Sequence, residues 1–194
     1  SPWFELEADE YQNKFQYYNP EILVITSIDW DHPDCFTDPE SYREVFRRFA
    51  ERVPKDGSIV AYADDVDVWE VVQRLPVNVI TYGRRHHRSM RIVEESQEGE
   101  YSTFTVIARE AMPRWSPFGG SPVGTTISPE SSSRLGPFHL LLSGQHNISN
   151  ATAAIVVALQ IGIPLEAIRK GLKKFQGTER RMQLIGTMSC GATV

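Results

Sequence analysis

The sequence has few cysteines, no long apolar run and no excess of basic residues, and each absence excludes a class of protein. Its two cysteines, Cys35 and Cys190, are far apart and form no CxxC pair, so neither a disulfide framework nor a zinc motif is indicated. No apolar run is long enough to cross a bilayer, and the first residues lack the pattern of a signal peptide; we therefore expect a cytoplasmic protein without a membrane partner. The net charge of -5 argues against nucleic acid as the main partner, because binding its phosphates needs a positive field.

What the sequence does contain is an alternation of strands and helices. β-branched runs predict strands and apolar residues at helical spacing predict helices, in the order strand 21–26, helix 38–53, strand 59–62, helix 66–75 and strand 77–82. This order is typical of an α/β fold. We predict a doubly wound, mainly parallel sheet flanked by helices, with strand 21–26 in a central position that is buried on both faces.

After Gly83 the pattern changes. Two alternating segments, 90–94 and 101–107, predict a small antiparallel hairpin subdomain, and a loop rich in Pro, Gly and Ser follows over 113–137. Together they form an insertion from 83 to 137, whose basic turn 84–88 is interpreted as solvated. Beyond the insertion we predict a strand over 138–142, a helix that stops at Gly162, a helix from Pro164 through Phe175 and a strand over 182–186.

Acidic residues collect where a first predicted strand, 3–6, ends. Glu7, Asp9 and Glu10 lie within four residues, and like charges so close repel unless something neutralises them. Water does this in an ordinary acidic loop, whereas Mg²⁺ does it in a metal site because it takes carboxylate oxygens. These residues alone leave both interpretations open.

A second polar group follows strand 21–26. Asp29, Asp31, His32 and Asp34 occupy six positions directly after this strand. A histidine beside an aspartate is usually a surface hydrogen-bonding pair, but this density of titratable groups at a strand exit also fits a functional site.

The stretch 144–154 joins strand 138–142 to a helix through a glycine turn. In open α/β sheets, ligands bind at such turns, at the carboxyl ends of the strands. Asn147 and Asn150 share a helix face, and their amides carry the donor and the acceptor that the edge of a purine requires. The alternative is that both are helix caps, with Asn147 capping this helix.

A tandem arginine pair follows the last predicted helix. Arg180 and Arg181 come shortly after Gly177, which permits a turn. Their planar guanidinium groups could hold phosphate oxygens by hydrogen bonds from two directions. The alternative interpretation is a solvated loop.

Four segments together resemble the central domain of the Mur ligases. They are Glu7-Ala8-Asp9-Glu10, Asp31-His32, Gly144-Gln145-His146-Asn147-Ile148-Ser149-Asn150-Ala151 and Phe175-Gln176-Gly177-Thr178-Glu179-Arg180-Arg181. Their order and spacing match, and the resemblance covers nearly the whole chain. The patterns GxHNxxNxxA and FxGxxRR are specific together, where either alone is weak.

The resemblance implies ATP-dependent amide-bond formation, in which a carboxylate takes the γ-phosphoryl group of ATP and an amine attacks the acyl phosphate. It implies that Glu7 binds Mg²⁺ at the ATP phosphates and that His32 binds a second metal, these two being the catalytic residues. The second site is expected to accept Mn²⁺, because imidazole is an unusual ligand for so hard an ion as Mg²⁺. The implied nucleotide-binding residues are His146, Asn147 and Asn150 at the adenine and Arg180 and Arg181 at the phosphates.

Within the family the likeness is greatest to the branch that joins L-alanine to UDP-N-acetylmuramate in peptidoglycan synthesis. These two compounds and ATP are therefore the implied partners. The murein tripeptide ligases are one alternative, because the acidic EADEY sequence occurs in both branches. Another is a non-catalytic nucleotide-binding or scaffold domain that kept the fold.

The sequence departs from the family at the phosphate loop. No GxxGKT/S sequence occurs in the 194 residues, and Gly119-Gly120-Ser121-Pro122 lacks the lysine. We therefore expect residues 1–187 to be a fragment of a central domain and 188–194 to be a tail toward an absent C-terminal domain. The missing N- and C-terminal domains are expected partners, and the polypeptide alone is expected to have no ligase activity.

Overall fold

The computed structural model describes residues 3–109 and 133–178, together with two short strands between these ranges. A 3-10 helix over Tyr11–Tyr17 comes first. It is followed by β1 (Ile22–Ile25), α1 (Pro39–Ala50), β2 (Ser58–Tyr62), α2 (Val66–Val72), β3 (Asn78–Gly83), β4 (Met90–Glu98), β5 (Tyr101–Ala108), β6 (Pro113–Arg114), β7 (Gly124–Thr125), β8 (Ser133–Leu140), α3 (Gln145–Gln160) and α4 (Leu165–Lys174). The elements predicted between residues 21 and 82 are all present.

Six strands form one mixed sheet in the order β1-β2-β3-β4-β5-β8. The pairs β1–β2, β2–β3 and β3–β4 are parallel, whereas β4–β5 and β5–β8 are antiparallel, so within this sheet β5 runs against the other strands. The mainly parallel sheet is confirmed. The predicted hairpin is present, but it continues the main sheet instead of forming a subdomain, because β4 begins beside the end of β3, with Met90 opposite Tyr82.

Helices cover both faces of the sheet, as a doubly wound fold requires. Successive residues of β2 point to opposite faces. Ile59 and Ala61 pack with the buried residues of α1 and α2, whereas Val60 packs with those of α3 and α4. Each face therefore has its own apolar core.

α1 and α2 begin at aspartates that cap them. Asp38 accepts the N–H of Ser41, and the Ser41 hydroxyl accepts the N–H of Asp38 in return. Asp65 accepts the N–H of Val68 at 3.0 Å and, through its other oxygen, the N–H of Ile28 at 3.4 Å. Asp65 therefore joins the start of α2 to the segment that follows β1.

α3 runs across the sheet against the direction of β2 and β3. At its first residue, the Gln145 carbonyl oxygen accepts a bond from Arg84, which follows β3. At its last residue, the Gln160 amide donates to Ser58 at the start of β2. The helix therefore begins at the carboxyl ends of the parallel strands, the edge at which open α/β sheets bind ligands.

Two strand predictions at the start of the chain are wrong. Residues 3–10 have no regular secondary structure, and Phe4 is 88% exposed, because no strand in the described part of the chain pairs with this segment. β1 is an edge strand of the sheet and not a central one, so Val24 on it is 40% exposed.

The loop predicted over 113–137 ends earlier in the structure, because its last residues, 133–137, belong to β8. β8 begins at Ser133, opposite Ala108 of β5, and pairs with β5 as far as Leu140, apart from a register shift between Phe104 and Val106. β6 and β7 pair with each other, and the remaining loop residues, strand 182–186 and the tail lie outside the described residues. None of the described helices is both long and apolar enough to cross a membrane.

Replacing Asp65 with alanine should destabilise the fold by about 1–2 kcal/mol, because the change removes the N-cap of α2 and its link to Ile28. Asp65→Asn is the control, since its amide oxygen can still accept the Val68 N–H, and it should cost less. Urea unfolding measures both variants. Equal losses would contradict the capping role.

Candidate nucleotide site

The segments that follow β1, β2 and β3 meet the start of α3 at one edge of the sheet, here named the carboxyl edge. Asp65, after β2, accepts the N–H of Ile28, and Asp64 accepts the N–H of Arg84, after β3. The Arg84 side chain in turn donates to the hydroxyl of Ser149 on α3. This chain of contacts places Ile28, which directly precedes the polar group predicted after β1, at the same edge as the first turns of α3.

The turn into α3 depends on its glycine. Gly144 has a φ of 102°, a conformation that glycine adopts without strain, and a Cβ added there would lie 2.8 Å from the ring of His146. The imidazole therefore folds back over the turn, and it remains exposed. The Gly-x-His spacing therefore has a steric cause, because a side chain at 144 would clash with this imidazole.

Neither asparagine of α3 caps the helix, so the capping alternative is wrong. Gly144 occupies the N-cap position, and no side chain makes a capping bond there. Asn147 lies inside the first turn, where its Nδ2 donates to the Ser143 carbonyl oxygen at 2.7 Å. Asn150 lies three residues further along and is exposed. The two amides share a helix face without any capping role.

His32 lies beside Glu10 in a group of aromatic and acidic side chains. Its Nε2 is 3.6 Å from Glu10 Oε1, and the Tyr42 hydroxyl donates to the same oxygen at 3.0 Å. The ring centroid of Tyr11 is 4.9 Å from that of His32. Burial, aided by the bond to Glu10, raises the pKa of the Tyr42 phenol, so this hydroxyl stays protonated as a donor.

The backbone of His32 adopts an uncommon conformation. Its φ is 55°, in the left-handed region that few residues other than glycine adopt. The Asp31 carboxylate accepts the His32 N–H at 2.7 Å, and the His32 carbonyl oxygen accepts the N–H groups of Cys35 and Phe36. These contacts hold the strained conformation in place, and the functional role predicted for His32 at this strand exit stays a prediction.

Glu7 lies in the irregular segment before the 3-10 helix, and its side chain is exposed. The nearby Asp9 carboxylate accepts a hydrogen bond from Lys14 Nζ at 2.6 Å and another from the Tyr11 N–H. These two bonds hold the pKa of Asp9 below its usual value. The described residues contain no group of three or more potential metal ligands. The metal-binding roles predicted for Glu7 and His32 therefore stay predictions.

The interpretation of turn 84–88 as solvated is wrong for its first and last residues. Arg88 is only 3% exposed, and it donates to Asp64 at 2.9 Å and to the carbonyl oxygen of Ala63. Its guanidinium lies over the Trp69 ring, 5.6 Å from the centroid. Because a charge this buried needs its partner, the pair fixes the turn between β3 and β4.

Sequence reasoning missed Tyr42 and the acids after β2. Tyr42 has the spacing of a core residue of α1, and no pattern in the sequence indicates that its hydroxyl reaches Glu10. Asp64 and Asp65 come one residue after the end of β2, and this place at a strand exit is the signal that could have identified them.

Arg180 and Arg181 lie outside the described residues, so their phosphate contact stays a prediction.

Comparison with known proteins decides the family. Residues 4–158 match the profile described as the Mur ligase middle domain. The chain belongs to the Mur ligase family. The resemblance seen in the four sequence motifs is therefore confirmed.

The relatives of this Mur ligase domain include enzymes named UDP-N-acetylmuramate–L-alanine ligase. That of Desulfitobacterium hafniense strain Y51 is 33% identical over 192 residues, which are 99% of this chain and 37% of the relative. That of Chelativorans sp. strain BNC1 is 36% identical over 186 residues, 95% of this chain and 37% of the relative. The chain thus spans just over a third of the length of the curated relatives it matches.

The fold agrees with a solved Mur ligase. The structure of UDP-N-acetylmuramate-alanine ligase from Thermotoga maritima superimposes with a TM-score of 0.64 over 91% of this chain and 34% of that one. The two sequences are 18% identical, so this likeness supports the fold alone.

In this Mur ligase domain, Asp64→Ala should lower the free energy of unfolding by about 3 kcal/mol, because it leaves the buried Arg88 guanidinium without its carboxylate. Asp67→Ala is the matched control, since Asp67 pairs with Arg43 nearer the surface, where ion pairs contribute less than about 1 kcal/mol. Denaturant unfolding gives both values. If the two variants lose the same stability, the buried pair does not fix this turn.

Proposed function

We propose that this chain supplies the adenine-binding and metal-binding part of an ATP-dependent ligase that joins L-alanine to UDP-N-acetylmuramate in peptidoglycan precursor synthesis. Likeness to ligases of that name over 95% and more of the chain supports the proposal. The observation that carries it is the shared carboxyl edge, where Asp64, Asp65 and Arg84 connect the segment before His32 to the start of α3. The proposed location is the cytoplasm.

In the proposed reaction, the muramate carboxylate attacks the γ-phosphorus of ATP and ADP leaves. The amine of alanine then attacks the acyl phosphate, releasing phosphate and a proton as the amide forms. Neither step needs a nucleophile from the protein, so this chain contributes positioning and neutralisation of charge. Binding of the two other substrates is assigned mainly to parts of the longer protein outside the matched third.

The start of α3 is the proposed adenine site. His146 and Asn150 are one helical turn apart, with Asn147 between them, so the three side chains can line one surface. Amide groups both donate and accept hydrogen bonds, as recognition of a purine edge requires. The positive end of the dipole of this 16-residue helix also favours an anionic nucleotide. Arg180 and Arg181 are proposed to contact the phosphates.

Glu7 and His32 are the proposed metal ligands and catalytic residues. A bound Mg²⁺ supplies neutralisation of the phosphate charges. The exposed Glu7 carboxylate is a donor of the type that Mg²⁺ prefers, and Glu10 offers another oxygen 3.6 Å from His32 Nε2. Imidazole binds Mn²⁺ more readily than Mg²⁺, so the proposed His32 site accepts Mn²⁺.

Calorimetric titration with ATP in the presence of Mg²⁺ tests the proposal. Asn150→Ala should weaken ATP binding about tenfold, because it removes amide hydrogen bonds to the base. Arg181→Glu should also weaken it, since the change places a negative charge near the phosphates. Asn78→Ala is the matched control, because Asn78 begins β3, at the end opposite the carboxyl edge, and should leave binding unchanged.

ATP binding that Asn150→Ala and Arg181→Glu leave intact would remove both residues from the site. An unaltered chain that binds no ATP would favour the scaffold alternative.

A further inference from the structure

Arg84 connects the sheet to the first two turns of α3. Its Nε and Nη2 donate to the two carboxylate oxygens of Glu95 at 2.8 and 2.7 Å, forming a bidentate pair. Its Nη1 donates to the Ser149 hydroxyl at 2.9 Å, and its Nη2 also reaches the Gln145 carbonyl oxygen at 3.1 Å. The Tyr62 hydroxyl, at 3.3 Å, is a further partner. One guanidinium therefore contacts β2, β4 and α3.

A β-bulge in β4 directs Glu95 toward Arg84. Two residues of β4, Glu94 and Glu95, stand opposite the single residue Phe104 of β5. Glu94 has a φ of 54°, which is strained for a residue other than glycine. Its carboxylate accepts a hydrogen bond from Arg134 on β8. Strain of this kind persists only where surrounding contacts hold it, and the bidentate pair is one such contact.

The Arg84–Glu95 pair is partly shielded from water. The two side chains are 25% and 23% exposed. Burial works to lower the pKa of the Arg84 guanidinium, but the hydrogen bonds and the charge of Glu95 outweigh it, and the net shift is upward. A pair so placed holds its geometry better than an exposed one.

The far end of α3 is secured independently. Gln160 donates to the buried Ser58 at 2.9 Å, and Ile155 lies fully buried in the core. Ile148 also lies fully buried in the first turn, so without Arg84 the helix should stay on the sheet and loosen mainly on the exposed side of its first two turns. These turns carry the proposed adenine-binding residues His146, Asn147 and Asn150.

We propose that Arg84 and Glu95 are positioning residues that fix the start of α3 and thereby set the preference of the site for adenine over guanine. This inference rests on the proposed nucleotide site. Hydrogen bonds to a base edge tolerate only small changes of distance and angle, so a displaced first turn loses them. Attraction between the phosphates and positive groups tolerates the same displacement, because it depends weakly on direction.

The test compares the binding of ATP and of GTP, each with Mg²⁺, to the chain and to Arg84→Gln. The unaltered chain should prefer ATP, and Arg84→Gln should reduce the ratio of the two affinities about tenfold, mainly by weakening ATP. Lost stability does not change this ratio, because an unfolded fraction lowers the binding of both nucleotides equally. Arg85→Gln is the matched control, because Arg85 is the exposed neighbour of Arg84. The ratio of ATP to GTP affinity of this variant should equal that of the unaltered chain.

Glu95→Gln tests the other half of the pair. It should lower the same ratio, and the double variant with Arg84→Gln should show little further decrease, because both changes break one interaction. An ATP preference that survives Arg84→Gln would overturn the inference. If the decrease in the double variant equals the sum of the two single decreases, on a free-energy scale, Arg84 and Glu95 do not act as a pair.

Amide hydrogen exchange separates this inference from the proposed function. Arg84→Gln should speed exchange over 146–150 and leave 155–160 unchanged. If exchange over 146–150 is unchanged, the positioning role is wrong, whatever nucleotide binds. If exchange changes as expected but the unaltered chain shows no ATP preference, Arg84 does fix the helix start, and the proposed adenine site is what fails.

Discussion

The parallel alignment of β1, β2 and β3 is the constraint on which the rest of the structure depends. Parallel strands place their carboxyl ends at one edge, so Ile28, Asp65 and Arg84 follow three separate strands yet reach the same region. The alternation of β2 between two cores fixes the register, because a shift by one residue would exchange Val60 with its neighbours. α3 returns against the strands and brings its first turn to this edge.

The polar groups of the carboxyl edge fall into two layers. An inner layer is paired and little exposed, with Asp64 bound to Arg88 and Arg84 bound to Glu95. An outer layer is accessible and includes His146 and Asn150. The inner layer holds the segments in place, and the outer layer carries the side chains assigned to the nucleotide. Pairing within the inner layer also keeps buried charge from destabilising the fold.

Local patterns predicted the helices and strands from 21 to 82 because apolar spacing and capping residues are properties of short segments. The position of β1 at the sheet edge was missed because strand order depends on contacts between distant residues. The burial of Arg88 was missed for the same reason, since its partners Asp64 and Trp69 lie far from it in the chain. Motif resemblance gave the candidate site residues, whose roles stay predictions, but it gave no indication of Arg84, which bonds Ser149 on α3, or of Tyr42, which bonds Glu10.

The most direct measurement of the central claim is a crystal structure of the chain with ATP and Mn²⁺, with the metal located by its anomalous scattering. The account predicts adenine against His146, Asn147 and Asn150, and manganese bound at the carboxyl edge by Glu7 or His32. A nucleotide in the groove between α4 and β8, beside His139 and Arg169, with no density at the carboxyl edge, would contradict it.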